Sequence, residues 1–82
     1  MNREWVLFQL REGQEELNRT IADIAADPDY GVGEFIVAVQ HLYHHLNTAW
    51  NSRDETPARV EAAGEDDFYT WRRFPDDIYL GR

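Results

Sequence analysis

A chain of 82 residues carrying 16 acidic against 8 basic residues, a formal charge of −8, and 43% hydrophobic residues is one small acidic domain, 1–82, with no length for a second core. It has no cysteine, which excludes a disulfide framework, a thiolate metal site and a cysteine nucleophile, and suits a reducing cytoplasm. The charge opposes phosphate backbones and anionic lipid, so neither nucleic acid nor membrane is an expected partner, and three Trp, four Tyr and four Phe exclude a disordered chain.

The first ten residues break their apolar run with Arg3, Glu4 and Gln9, unlike a signal peptide, and a cytoplasmic location is expected. From Glu4 to Ala26 the spacing predicts a helix. Leu7, Leu10, Gln14, Leu17, Ile21 and Ile24 recur at steps of three and four, which puts them on one stripe and makes that stripe the expected packing seam. Gly13 interrupts the pattern at a cost of roughly 1 kcal/mol relative to Ala, marking a close helix contact or a local weakness. Trp5 and Phe8 fall on the side away from the leucines. The helix ends as Pro28 arrives, because the residue before proline is pushed out of the α region.

After the breaker-rich stretch 27–33 a second helix is predicted over 33–53, with Glu34 favourable at its positive N-terminus. Phe35, Val39, Leu42, Leu46 and Ala49 form its expected seam. Ile36, Tyr43 and Trp50 recur every seven residues on the flank, so its apolar face is broader than one partner helix would cover. Antiparallel pairing sets Ile24 opposite Phe35 or Ile36, Leu17 near Tyr43, and Leu10 near Ala49 and Trp50. Thr56-Pro57 then reads as an N-cap and first helical position of a short segment stopping near Gly64. A further short helix is expected from the acids at 65–67 through Phe74, with Arg72 and Arg73 in its last turn, followed by an extended tail from Asp76 to Arg82. The fold class is therefore all-α: an antiparallel helical hairpin, 4–26 and 33–53, with one or two short C-terminal helical segments over 55–82 packed on it, pairing into a four-helix arrangement.

Two groups of residues are candidates for function. Trp5, Phe8, Tyr43, Trp50 and Trp71 are large aromatics that water disfavours. Either Phe68, Tyr69, Trp71 and Phe74 fold back over Trp5 and Phe8 to complete a core, or the aromatic face is an interface with a second copy of the chain or another protein. His41 and His45 sit one turn apart on one flank of the second helix, and Glu12, Glu15 or Glu16 falls near the level of His45. A His41–His45–Glu16 site for a divalent metal can therefore be drawn against the plainer reading that both histidines border the seam and bond to Thr20 or Glu16. His44 reads as a surface residue.

Asn47 and Asn51 read as end-of-helix residues or as a ligand-facing amide pair, and Arg53 as a tie to Glu4. Trp71-Arg72-Arg73-Phe74 is a basic–aromatic cluster whose arginines pair most simply with Glu65, Asp66, Asp76 or Asp77. No glycine-rich phosphate loop and no G-x-S-x-G is present, and nothing supports ordinary catalysis. The expected function is a small acidic protein–protein interaction or regulatory module that is not an enzyme and needs no cofactor. A metal-binding helical protein and an acidic DNA mimic that blocks a DNA-binding protein are the alternatives.

Overall fold

The computed structural model describes residues 1–81. Arg82, the last residue of the expected tail, lies outside them. The described residues form four helices and no strand: α1 (Arg3–Ala26), α2 (Val32–Asn51), α3 (Pro57–Glu61) and α4 (Glu65–Trp71). The two long helices pack against each other as a hairpin, and α4 packs on α2.

Local chemistry sets the helix ends. The Asn2 side chain accepts from the Trp5 N–H at 3.2 Å, capping α1 one residue earlier than the pattern suggested. The Glu34 carboxylate accepts from the Gly31 N–H at 3.1 Å, and Asp67 does the same for Gly64 at 3.0 Å. Thr56 caps α3 through the Arg59 N–H with Pro57 at the first position, as its sequence predicts. Two boundaries differ from expectation: α2 stops at Asn51, and α4 stops at Trp71, leaving Arg72, Arg73 and Phe74 beyond its end.

The seam is not the leucine stripe. In α1 the buried residues are Gln9, Gly13 and Thr20, with Glu16 half-buried beside them; in α2 they include Ala38, Thr48 and Ala49, followed by Ser52 at its C-cap. At 3.6 residues per turn, the line through Gln9, Gly13, Glu16 and Thr20 is rotated by roughly 90° from the line through Leu7, Leu10, Leu17, Ile21 and Ile24. Small side chains let the axes approach closely. A Cβ built on Gly13 would lie 3.6 Å from the His45 Cβ, which is ordinary contact. Leu7, Leu10, Leu17, Ile21 and Ile24 of α1, with Phe35, Ile36 and Leu46 of α2, instead remain between 42% and 58% exposed.

The register also shifts. Trp5 reaches Ser52, Gln9 reaches His45 and Glu16 reaches His41, which sets Leu10 near the level of Leu46 rather than of Ala49 and Trp50. The open end is closed by backbone and side chain together: the Asn2 N–H donates to the Arg53 carbonyl at 2.6 Å and its amide donates to the Glu55 carbonyl at 3.0 Å. Arg53 does not reach Glu4. Its guanidinium stacks over the Trp50 ring at 3.8 Å and donates to the Trp50 carbonyl at 2.7 Å.

Candidate functional site

The hairpin presents two unlike faces. On one side, α1 and α2 border an open groove of about 830 Å³ lined by Glu12, Glu16, Arg19, His41, His44 and Arg72 among others. The other side is the aliphatic face.

Within the groove the histidines take distinct partners. His45 Nδ1 lies 2.9 Å from Gln9 Oε1, and because an amide oxygen can only accept, the ring N–H donates in this bond. His41 Nδ1 lies 3.6 Å from Glu16 Oε1, whose other oxygen accepts from Arg19 at 2.9 Å. Thr20 donates to the Glu16 carbonyl of its own helix at 2.8 Å rather than to a histidine. Glu16 therefore stands level with His41 and not with His45. Of the three residues drawn as a metal site, the fold brings Glu16 and His41 together and holds His45 on Gln9. Among the described residues no group of three or more His, Asp or Glu has metal-ligand geometry.

His44, read from sequence as a surface residue, is half-buried and packs edge-on against His45 with ring centroids 5.0 Å apart. Burial first, then the neighbouring His45, Arg72 and His41, holds its pKa below the ordinary 6.5. Across the chain, Arg59 and Asp67 form a charge-assisted hydrogen bond that pushes the guanidinium up and, with the Gly64 N–H, holds the carboxyl below its ordinary 3.8.

The aromatic residues divide by element. Trp71 is 6% exposed and meets the Trp5 ring edge-on at 6.4 Å, while Phe68 stands perpendicular to it at 5.6 Å. Trp5 stacks on Phe8 at 5.8 Å and donates its Nε1–H to Ser52 Oγ at 2.8 Å, and the Ser52 hydroxyl donates in turn to the Thr48 carbonyl. The α4 segment thus folds back over Trp5. Trp50 donates to Asp77 at 2.9 Å, and Tyr43 meets Phe74 edge-on at 4.9 Å. Phe8 and Tyr43 keep about half of their surface exposed.

Asn47 and Asn51 do a job that sequence reasoning missed. The Asn47 amide donates to the Arg72 carbonyl at 3.0 Å, and the Asn51 amide donates to the Trp71 and Arg73 carbonyls, both at 2.7 Å. They satisfy carbonyls that the end of α4 would leave orphaned, and so fasten α4 to α2. Arg72 lies over the Tyr69 ring at 4.2 Å.

On the aliphatic face, increasing residue number turns the two antiparallel helices in opposite senses, so stripes rotated the same way from a shared seam emerge on the same side. Leu7, Leu10, Gln14, Leu17, Ile21 and Ile24 lie beside Phe35, Val39, Leu42 and Leu46 as one surface, with Val39 and Leu42 half-buried and the large residues around them exposed. The spacing of these side chains predicts that they face each other inside the hairpin; in the fold they line its outer side. The signal that could have moved them outward was the breadth of the α2 apolar pattern, which one partner helix cannot cover.

Among the described residues no helix is long and apolar enough to cross a membrane. Compared with protein-family models, curated proteins and solved structures, the chain matches none.

Proposed function

We propose that this chain is a protein–protein association module whose working surface is the aliphatic face of α1 and α2, and not an enzyme. One observation carries the reading: large aliphatic and aromatic side chains from both long helices stand about half exposed on a single face. A contiguous apolar surface of that extent is unfavourable in water at about 25 cal/mol per Å², so it is stable in solution chiefly when covered. The described hydrophobic core supports the same reading, since its buried apolar residues are Ala38, Ala49 and Trp71. Such a core is small for an independent domain.

The expected aromatic interface of Trp5, Phe8, Tyr43, Trp50 and Trp71 gives way in this reading to the leucine side of the hairpin. Trp5 and Trp71 are engaged with each other, and Trp50 with Arg53 and Asp77. The groove with His41, His44 and His45 then serves as the solvent side, where the hairpin carries its charge.

The test compares the wild type with a Leu10→Gln, Leu17→Gln, Ile21→Gln variant, by sedimentation and by binding of a fluorescent hydrophobic dye, with far-UV circular dichroism to follow helix content. The wild type should associate or bind dye, and the variant should do neither while keeping its helix. A wild type that neither associates nor binds dye would mean that the face is covered within the chain, and the proposal would fall.

A further inference from the structure

We infer that the occupant of the aliphatic face is a second copy of this chain, packed with α1 antiparallel to α1 and α2 antiparallel to α2 about a two-fold axis passing beside Gln14 and Leu42. The inference rests on the association reading above and names its partner.

Area argues for a partner of about this size. The chain exposes 6421 Å², whereas a compact monomer of 9.7 kDa exposes about 5,100 Å². Its radius of gyration is 14.6 Å, against about 12 Å for a compact chain of this length. The surplus of about 1,300 Å² is more than the roughly 800 Å² that each partner contributes to a standard interface. The remainder fits the exposed tail, where Tyr79 and Leu80 are almost bare.

Charge argues for this particular partner. Two molecules of formal charge −8 repel, so a self-association surface must keep its acids away. The acids of α1 are Glu4, Glu12, Glu15, Glu16 and Asp23, and each lies more than about 100° around the helix from the centre of the leucine stripe. Glu34, the acid of α2, is similarly placed relative to Phe35, Leu42 and Leu46. The apolar stripes of a strongly acidic chain thus carry no negative charge. A basic partner would find no carboxylate there, and an anionic bilayer would be repelled by the whole molecule.

The order of side chains argues for the axis. Around Gln14 the part of the α1 stripe from Leu7 to Ile21 is close to its own mirror, and Ile24 lies beyond it. Antiparallel pairing puts Leu7 against Ile21 of the second copy, Leu10 against Leu17 and Gln14 against Gln14. About Leu42, α2 pairs Val39 with Leu46 and Leu42 with itself, and Phe35 falls at the level of Ala49, which is already buried in the seam. The observed hairpin register, with Gln9 and Gly13 at His45 and Glu16 at His41, places Gln14 and Leu42 at about one level, so one axis serves both helices. Such an interface is isologous, as closed dimers require. It also gives the lone polar side chain in the middle of the α1 stripe a partner, because each Gln14 amide has a donor and an acceptor for the other. The product is a four-helix bundle in which every long helix has two neighbours, the small-residue seam facing one and the aliphatic stripe the other.

Sedimentation velocity on the full chain, from micromolar to millimolar concentration, tests the inference. The wild type should be a dimer. Leu17→Glu and, separately, Leu46→Glu should each raise the dissociation constant at least about 100-fold, because each buries two uncompensated charges in the dimer. Glu15→Ala, on the groove side, should leave the mass unchanged, and circular dichroism should show that all three variants stay helical. A dimer indifferent to both glutamates would overturn this face as its interface. A wild type that stays monomeric overturns the second copy, and dye binding then separates the two levels: dye bound by the wild type and lost in Leu17→Glu leaves an association face with another occupant, whereas no dye binding overturns the association reading as well.

Discussion

Thr48 is 1% exposed near the end of α2, and its hydroxyl has no hydrogen-bond partner among the described residues. Its carbonyl accepts from Ser52. Burying a hydroxyl without a partner costs about 1–3 kcal/mol, and valine has nearly the same shape. Thr48→Val is therefore expected to raise the unfolding free energy by about 1 kcal/mol in urea denaturation, and a loss of similar size would show that the hydroxyl has a role the fold does not reveal. His44 supplies the second residue-scale consequence. Its pKa in the folded chain lies below the ordinary 6.5 because burial and the nearby His45, Arg72 and His41 disfavour its charge. The folded state then binds this proton more weakly than the unfolded state, so its contribution is fully present above about pH 6.5 and is lost as the pH falls through the lowered value. The Arg59–Asp67 pair also loses its contribution on acidification, but in the lower window below 3.8. Stability measured between pH 7 and 5 should decline in the wild type and flatten in His44→Gln; an unchanged slope in that variant would assign the decline elsewhere.

At the level of elements, much of the fold was legible. Helix positions, the breaker at Asp27-Pro28, the Thr56-Pro57 start and the acids opening α4 each rest on local chemistry that sequence expresses directly. Which stripe forms the seam was not legible. Periodicity marks the leucines as buried against something without saying what, and Gln9, Gly13, Glu16 and Thr20 carry no hydrophobic signal although they face α2. The amides of Asn47 and Asn51 were hidden for a related reason: they bond the carbonyls of Trp71, Arg72 and Arg73, 20 to 25 residues away in the chain, which exist as orphan acceptors only once α4 has ended there. Gly13 separates the two readings of a mid-helix glycine. With 3.6 Å from an added Cβ to the His45 Cβ, alanine fits and gains helix propensity. Gly13→Ala should stabilise the fold by about 0.5–1 kcal/mol by denaturant midpoint. Destabilisation would mean that the helix axes must approach more closely than this seam requires.

At the scale of the molecule, the proposed dimer would complete the packing of the hairpin. Each long helix has a small-residue stripe for its neighbour within the chain and, a quarter-turn away, an aliphatic stripe with no acid in it. The acids occupy the groove side with His41 and His44, where water screens them. Under the proposed dimer, folding and association are coupled, and the melting temperature is expected to rise with protein concentration, as mass action requires when the native state is a dimer. A melting temperature independent of concentration over a hundredfold range would argue for a fold complete in one chain.

Because the chain has no cysteine, a single introduced thiol reports position without interference. The measurement that tests the two-fold arrangement most directly is disulfide formation in Gln14→Cys under mild oxidation, with Glu15→Cys as the control on the groove side. Gln14→Cys should convert to a covalent dimer that keeps its helix content, since cysteines beside the axis come within the roughly 4.4–6.8 Å between Cα atoms that a disulfide spans. Glu15→Cys should remain uncrosslinked. Equal crosslinking of both, or of Glu15→Cys alone, would contradict the proposed dimer.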